Sequence, residues 1–304
     1  MLFTMMRSNE LNSFQLTALS RLFSASVFSE IAKRGQSPIF ARSLRETELF
    51  DHADTLGITV GEAFNEAFAL LRQTGLRNEY VYRSALTHNL LLGKHSLRTA
   101  CMLNEFRIGS CKADLIILNG TGTVYEIKSE RDSLSRLQNQ ITNYRKAFGK
   151  IYVIAGSEHL DDVLKTTESS IGVLSLTRWN RISTIREAEE VLDFICPVTI
   201  FESLRINEAK IIASELGIKI PDLPNTQMHG FLKEEFSGLP PVSVYNLMLK
   251  TLKESRSLLS LRELILNLPK SLQPAALSIQ LRSKDHERLI NTMQLPLNEA
   301  LLWE

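Results

Sequence analysis

The sequence has little of what metal-clustered, disulfide-bonded or membrane proteins need. It contains three cysteines in 304 residues and no C-x-x-C pair. This makes a disulfide framework, a structural zinc site or an iron–sulfur cluster unexpected. No apolar run reaches the roughly 18 residues of a transmembrane helix, and the apolar start at residues 1–6 is too short for a secretory signal. We therefore expect a cytoplasmic protein without a membrane partner.

Histidine is also sparse, and this limits the kind of metal site that we expect. The six histidines are scattered and form no H-x-x-x-H pair. Any bound metal would therefore be held mainly by oxygen, which favours Mg²⁺ or Mn²⁺ as the cofactor. The 44% hydrophobic and 23% charged residues are ordinary for a globular protein that can bury a sizeable core.

The net charge of +1 hides an uneven distribution of charged residues along the chain. The first 150 residues carry a net charge of +5 and the remaining residues carry −4. Between residues 72 and 112, seven lysines and arginines face only two glutamates. This excess weakly favours a polyanion partner such as DNA. A solvated helical surface explains it equally well.

Apolar spacing predicts helices first, then strands, then helices again. Alternating or continuous apolar runs, with the turn Asn119-Gly120 between two of them, predict strands. The predicted helices cover residues 14–33, 60–72, 79–92, 95–104, 133–148 and 161–165. The predicted strands cover residues 106–108, 113–118, 123–128, 151–154 and 173–176. Beyond residue 186 the sequence is again typical of helices, broken by prolines.

These patterns indicate three parts. Residues 1–92 are expected to be an N-terminal helical region that packs on the core, and residues 93–182 the catalytic core. Residues 183–304 are expected to form a C-terminal helical region, through which a protein partner could bind. The predicted class is α/β, with a mixed central sheet between flanking helices.

Two acidic residues and one lysine form the pattern that indicates chemistry. Asp114 precedes Glu126-Ile127-Lys128 by eleven intervening residues. Because side chains alternate along a strand, Glu126 and Lys128 lie on one face and Ile127 on the other. A three-residue loop between the strands would set Asp114 directly opposite Glu126, and other loop lengths would move that pairing by about one residue.

Such a cluster suits a divalent cation. Neighbouring carboxylates repel each other unless a cation lies between them, and magnesium favours carboxylates, waters and phosphate oxygens. The bound ion would activate water, and Lys128 would add positive charge beside the scissile phosphate. The predicted reaction is phosphodiester hydrolysis. The alternative is a partly exposed hairpin with ordinary surface charges.

A second acid-x-Lys pattern serves as an internal comparison. Glu208-Ala209-Lys210 lies fifteen residues after Asp193, but its surroundings are typical of a helix. A helix does not bring these residues to one point, so the strand context favours Glu126 over Glu208. We expect the Glu208→Ala substitution to leave cleavage unchanged.

Gln140 and Tyr144 stand four apart on the predicted helix after Lys128, so they share a face. With them, the stretch resembles the PD-(D/E)XK nuclease superfamily. The run Gln140-Ile-Thr-Asn-Tyr144 resembles the Q-x-x-x-Y motif of the branch that includes lambda exonuclease and RecB-type nucleases. Glu105, at the end of a leading helix, completes the match. The likeness covers roughly residues 95–180 and looks closest to a poorly characterised bacterial family.

The resemblance implies a restriction-endonuclease-like αβββαβ core, a divalent metal and DNA as substrate. By this likeness Asp114, Glu126 and the carbonyl of Ile127 bind the metal, and Glu105 is an additional metal ligand or a water-binding acid. Lys128 would position the nucleophile, while Gln140 and Tyr144 would support the metal-bound water or the DNA backbone. Ala113 stands where the motif has proline. The arginines expected to contact DNA are Arg107, Arg131 and Arg145, although an exposed helix-start cluster also explains Arg131.

We therefore expect a metal-dependent deoxyribonuclease with helical flanks. Phage defence, mobile-element biology and repair are all compatible with that activity. The alternative is a nucleic-acid-binding or assembly protein with a catalytically silent nuclease fold. A third possibility is that the C-terminal helices act chiefly as a protein-interaction module. DNA cleavage assays with divalent cations separate these alternatives.

Overall fold

The computed structural model of the protein describes residues 11–50 and 57–304. The chain divides into two compact units. The first unit comprises Met1–Ala85 together with Ser260–Glu304, and the second comprises Leu86–Leu259. The first unit is therefore built from an early and a late segment of the chain, with the whole second unit between them in sequence.

Two expectations concern the chain as a whole. The apolar start at residues 1–6 lies outside the residues that the structure describes. The division into residues 1–92, 93–182 and 183–304 stays a prediction. In the described part of the chain, no helix combines the length and the apolar character needed to span a membrane.

Fifteen α-helices form in the described residues, and a π-helical turn, Thr87–Leu91, continues the fifth of them. The helices are α1 (Ser13–Arg21), α2 (Ala25–Arg34), α3 (Pro38–Thr47), α4 (Val60–Leu71), α5 (Glu79–Leu86), α6 (Leu137–Tyr144), α7 (Leu160–Thr166), α8 (Pro197–Ser203), α9 (Ile206–Glu215), α10 (Asn225–Ser237), α11 (Pro241–Ser255), α12 (Arg262–Asn267), α13 (Gln273–Ser278), α14 (Ser283–Met293) and α15 (Leu297–Ala300).

Local capping sets the helix boundaries of the first unit. At the start of α4, Thr59 and Glu62 form a capping box, in which each side chain binds the backbone N–H of the other residue. The helix predicted over residues 14–33 is instead two helices. The reason is that Ser24 accepts the backbone N–H of Val27 and starts α2. Gly35, with φ of 77°, ends α2 in the left-handed conformation that glycine adopts without strain.

The second unit contains a six-stranded sheet whose spatial order follows the chain. Its strands are β1 (Cys101–Ile108), β2 (Cys111–Leu118), β3 (Gly122–Lys128), β4 (Lys150–Ala155), β5 (Gly172–Leu176) and β6 (Ile182–Arg186). The first three strands are antiparallel to one another, β3, β4 and β5 are parallel, and β6 is antiparallel to β5. The predicted α/β class with a mixed central sheet and flanking helices is confirmed.

One hydrophobic core joins a face of this sheet to helices α6 to α11. Val124 of β3, Tyr144 of α6 and Phe236 of α10 are among its fully buried members. The packing is close enough that a Cβ added to Gly122 would lie 2.7 Å from the Phe148 ring. The helices between residues 197 and 255 thus share a core with the sheet, and this core-facing side also carries Glu126.

The prediction of a helix over residues 95–104 is wrong, and Glu105 does not lie at the end of a helix. Residues from Cys101 to Ile108 form β1, and the short strand predicted over residues 106–108 is its second half. Glu105 lies inside β1 with φ of 51°, a left-handed conformation that a non-glycine residue rarely adopts.

The alternation of side chains along β1 changes by one residue at Glu105. Leu103 and Phe106 both belong to the hydrophobic core although they are three residues apart. Residues on one face of a regular strand are two apart, so the strand accommodates one additional residue here. The left-handed backbone of Glu105 marks the point where this happens.

Strand β2 shows the same change opposite it. Ala113 and Ile116 are three residues apart and both lie in the hydrophobic core, with Asp114 between them. The ladder pairs on either side of the irregularity leave Glu105 facing Asp114. Matching irregularities in two neighbouring strands therefore bring these two acidic residues to the same place.

Candidate active site

The β2–β3 hairpin places Asp114 beside Glu126. Leu118 pairs with Gly122 across a three-residue loop, and the ladder runs to the pair of Leu115 and Tyr125. The next step of this register sets Asp114 against Glu126, as the sequence predicts for a loop of that length. The Asp114 side chain accepts a hydrogen bond from the backbone N–H of Ile127, with 2.7 Å between Oδ2 and N.

Glu126 is buried and holds three side-chain donors. Its Oε1 accepts hydrogen bonds from Lys128 Nζ at 2.8 Å and from Gln140 Nε2 at 2.5 Å. Its Oε2 lies 2.7 Å from the Tyr144 hydroxyl. Lys128 Nζ also donates to Gln140 Oε1 at 2.9 Å, which closes a ring of hydrogen bonds. We call Glu126, Lys128, Gln140 and Tyr144 the Glu126 cluster.

Helix α6 delivers two members of the Glu126 cluster because Gln140 and Tyr144 are one turn apart on it. Asn143 of the same helix fixes the helix to the turn between β1 and β2. Its Oδ1 accepts the backbone N–H of Ser110 at 3.3 Å. Gly109, with φ of 56°, leaves room for this contact, because an added Cβ would lie 2.4 Å from Asn143 Oδ1.

Burial decides the electrostatics of Glu126, whose residue exposure is 1%. Burial raises the pKa of its carboxyl above the usual value, while the Lys128 ammonium and the hydrogen bonds from Lys128, Tyr144 and Gln140 lower it. Because burial disfavours the charged form, the negative charge of Glu126 must be removed by a proton or balanced by the Lys128 ammonium or another cation.

The Tyr144 hydroxyl connects Glu126 to the backbone of β2. It lies 2.7 Å from Glu126 Oε2 and 2.6 Å from the carbonyl oxygen of Lys112, although it has a single proton for these two acceptors. Burial, followed by the negative charge of Glu126, raises the pKa of Tyr144, and Asp114 contributes in the same direction. The Tyr144 hydroxyl therefore stays protonated, and its pKa depends on whether Glu126 carries a charge.

Glu105 and Asp114 form the more open part of the site. A carboxylate oxygen of Glu105 lies within 4.8 Å of one of Asp114. Among the described residues, Glu126 has no carboxylate oxygen within that distance of both of these oxygens. Lys112 Nζ lies 3.5 Å from Glu105 Oε2. Two oxygens on one magnesium ion lie about 3 to 4 Å apart. This pair of carboxylates thus fits a hard divalent cation after a small side-chain movement.

In the described part of the chain, none of the three arginines predicted to contact DNA makes a hydrogen bond or ion pair with the Glu126 cluster. Arg145 makes a two-pronged ion pair with Glu168, at 2.8 and 2.7 Å, so its guanidinium is already engaged. Arg107 is exposed and donates to the carbonyl oxygen of Gly109 at 3.4 Å. Arg131 is exposed without an ion pair in the described part of the chain. Only the last two present a free charge on the surface.

The second acid-x-Lys pattern lies in helix α9, as its surroundings predict. Glu208 is 3% exposed and receives both arms of Arg256, each at 2.8 Å. Its side chain also accepts the backbone N–H of Arg205 and the hydroxyl of Ser255. Glu208 therefore fixes α9 to the end of α11. For this reason its replacement by alanine is a test of stability rather than a neutral control.

Sequence reasoning missed the side chain that fixes the end of β3. Asp132 Oδ2 accepts hydrogen bonds from the backbone N–H of Ser129 at 2.7 Å and from its hydroxyl at 2.6 Å. Gly156 N–H donates to the carbonyl oxygen of Lys128 at 3.0 Å. The Ser-x-x-Asp spacing was the available signal, because short polar side chains at this spacing bind nearby backbone groups.

The fold and site define an α/β protein with an acid–lysine cluster on a mixed sheet. A family model described as Bacteriophage P4 protein cII matches residues 72–265. The chain therefore belongs to the Bacteriophage P4 protein cII family. The match includes every strand of the sheet and the whole Glu126 cluster.

Two individual proteins are similar to parts of the chain. Protein cII of Enterobacteria phage P4 is 35% identical over 86 residues, which cover 28% of this chain and 33% of the phage protein. The match thus spans about a third of the length of that relative. A solved structure, the SPO1766 protein of unknown function from Silicibacter pomeroyi, matches with 16% identity and a TM-score of 0.30. That alignment covers 47% of this chain and 92% of that protein.

Proposed function

We propose that the protein is a Mg²⁺- or Mn²⁺-dependent deoxyribonuclease that hydrolyses phosphodiester bonds of DNA in the cytoplasm. The observation that supports this most is the Glu126 cluster. A buried carboxylate is held by an ammonium and an amide, one strand away from Asp114 and two strands away from Glu105. This arrangement agrees with the resemblance to PD-(D/E)XK nucleases. A protein partner bound through residues 183–304 also remains a proposal.

Glu105, Asp114, Glu126 and the carbonyl oxygen of Ile127 would hold the divalent ion, and all of these donors are oxygens. When bound, the ion would lower the pKa of a water ligand and offset charge on the phosphate. The ordered Ile127 backbone favours such a role, because its N–H is already bound by Asp114.

Lys128 would supply the second positive charge of the site. The residue is 4% exposed and its ammonium is held by Glu126 and Gln140, so little orientational freedom remains to be lost when it meets a phosphate oxygen or the attacking water. The side-chain carbonyl oxygen of Gln140 would orient Lys128, and the side-chain N–H of Gln140 would orient Glu126. Tyr144 would hold the far oxygen of Glu126. The last two residues thus act as positioning residues.

The test is a cleavage assay on the full chain with end-labelled linear duplex, single-stranded and circular DNA. Reactions contain Mg²⁺, Mn²⁺ or EDTA. We expect cation-dependent products that Glu126→Gln and Asp114→Asn each reduce by at least about 100-fold, comparable to losing one strong electrostatic contact in a transition state.

Glu208→Gln is the matched control because it also neutralises a buried glutamate that is bound to a cationic side chain. We expect it to lower stability while the folded protein keeps its specific activity. Equal activity of Glu126→Gln and wild-type protein would contradict the proposal. Loss of activity in Glu208→Gln, at a temperature where it is folded, would do so as well.

A second candidate is a catalytically silent nucleic-acid-binding protein, and one observation favours it. Lys128, Gln140 and Tyr144 already occupy both oxygens of Glu126, so an ion at this carboxylate would have to replace one of these contacts. If the protein is catalytically silent, we expect it to bind DNA without cleaving it. Asp114→Asn should then not weaken the binding of any divalent cation. Calorimetric titration with Mn²⁺ separates this candidate from the nuclease.

A further inference from the structure

A small cavity lies on the face of the sheet opposite the Glu126 cluster. It has a volume of about 200 Å³ and is lined within the second unit by residues of the π-helical turn region and of strands β3 to β6. Drug-sized ligands occupy cavities of about 300 to 1,000 Å³. The cavity therefore suits a single flat ring system rather than an extended ligand.

Two tyrosines form its aromatic wall. Tyr125 and Tyr152 are paired residues of the parallel strands β3 and β4, and their rings are stacked with 5.6 Å between centroids and 9° between planes. Tyr152 is fixed: its ring lies directly over Gly172, and its hydroxyl donates to Glu187 Oε2 at 2.5 Å. A fixed aromatic wall stacks a flat ring without losing side-chain entropy.

Tyr125 differs from Tyr152 in one respect. In the part of the chain that the structure describes, its hydroxyl has no hydrogen-bond partner, although its ring is half-buried. Burial, with further contributions from Tyr152 and Glu187, raises the pKa of Tyr125. The group is therefore a protonated hydroxyl at neutral pH, and it can both donate to and accept from the edge of a ligand.

The other polar groups are arranged around this wall. Asn89, Thr184 and Glu187 line the cavity with amide, hydroxyl and carboxylate groups. The Asn89 amide also donates to the carbonyl oxygen of Asn180 at 3.3 Å. Glu187 Oε2 also binds Tyr152, so Thr184 and the other Glu187 oxygen are the groups for the edge of a ring. Lys94 also lines it, is exposed, and makes no ion pair with another described residue. Flat aromatic surface, edge-binding polar groups and one free ammonium together are what a nucleobase with an attached phosphate requires.

We propose that this cavity binds one nucleobase against Tyr125 and Tyr152, with Lys94 binding the phosphate of the same nucleotide. The site takes either a free mononucleotide or one nucleotide of a single strand. The inference goes beyond the proposed cleavage reaction and does not require it, because Tyr125 and Glu126 point to opposite faces of the sheet.

The first experiment measures binding to the full chain by calorimetry in EDTA, so that neither cleavage nor a metal site contributes. The probes are dAMP, dTMP, deoxyadenosine and inorganic phosphate. We expect saturable binding of at least one mononucleotide, weaker binding of the nucleoside, and no saturable binding of phosphate alone. A short single strand, titrated in parallel, distinguishes a free nucleotide from a nucleotide within DNA.

Substitutions assign the binding to the cavity. Tyr125→Leu should weaken the binding of nucleotide or single strand by about tenfold or more, which is the usual effect of losing one base–aromatic stack. Lys94→Gln should reduce the affinity for the mononucleotide to that for the nucleoside. Lys165→Gln, which removes an exposed lysine from α7, should change neither.

The same substitutions can also refute the proposal. Because Lys94 is exposed, Lys94→Gln remains informative if Tyr125→Leu does not fold, and Tyr125→Phe tests the hydroxyl alone. Binding of nucleotide and single strand that is unchanged in Lys94→Gln and Tyr125→Phe, and in a folded Tyr125→Leu, would overturn the assignment. The absence of binding of every probe would do the same. If only the single strand binds and the substitutions weaken it, the occupant is a nucleotide within DNA.

Discussion

Removing the ammonium of Lys128 gives a sharp test of how the buried ion pair contributes to folding. Glu126 and Lys128 are 1% and 4% exposed, and their charged atoms are 2.8 Å apart. In Lys128→Met the carboxylate would remain buried without its counter-charge. Breaking a buried pair from one side costs about 3 to 5 kcal/mol, so we expect a loss of this size in the free energy of unfolding at pH 8.

The pH dependence of this loss carries the diagnostic information. Burial already raises the pKa of Glu126, and removal of the ammonium, which opposes this, would raise it further. A carboxyl with a raised pKa in the folded state stabilises the fold when it is protonated. That contribution is lost as the pH rises from the unfolded pKa through the folded one. The loss in Lys128→Met should therefore shrink towards pH 5, by at most about 1.4 kcal/mol for each pH unit.

Urea unfolding followed by circular dichroism at several pH values between 5 and 8 measures this loss. The double variant Glu126→Gln/Lys128→Met is the control, because it contains neither charge. At pH 8 the double variant should be more stable than Lys128→Met. Positions 126 and 128 should then no longer contribute to the pH dependence of the free energy of unfolding. A loss in Lys128→Met that is equal at pH 5 and pH 8 would refute the reasoning, since it would then come from packing rather than from charge.

Two further predictions concern residues around the same site. Tyr144→Phe should lower the free energy of unfolding by about 1 to 3 kcal/mol, because it removes the buried hydroxyl that lies between Glu126 Oε2 and the carbonyl oxygen of Lys112. Unchanged stability in urea would contradict this. Glu105→Gly should be more stable than Glu105→Ala by about 1 kcal/mol, because only glycine adopts a φ of 51° without strain. Thermal unfolding of the two variants checks their order, and the reverse order would remove the argument for strain.

The hairpin that carries Asp114 and Glu126 could be predicted because its signals are local. An apolar run, a turn dipeptide and an alternating run are enough to predict both strands and the turn between them, although they left the length of the loop open. The loop length in turn fixes the register that brings Asp114 to Glu126. Gln140 and Tyr144 were predictable as neighbours for the same reason, because helical spacing decides which side chains share a face.

Only the second half of strand β1 could be predicted, because the pattern of the whole strand is not that of a regular strand. The irregularity at Glu105 changes the alternation in the middle of β1, so its core residues are three apart and imitate helical spacing. The matching change at Asp114 depends on pairing between the two strands, which no single-strand pattern contains. Likewise, the ion pair of Glu208 with Arg256 joins residues 48 positions apart, and nothing local indicates it.

The split first unit has a consequence for how the protein is made. Its early segment ends at Ala85 and its late segment begins at Ser260, so 174 residues of the second unit are synthesised between them. At roughly 5 to 20 residues per second, the ribosome needs about 9 to 35 seconds for that stretch. The nascent early helices must wait this long for their partners, whereas the sheet and its helices can fold as soon as they emerge. We therefore expect the second unit to fold first during translation.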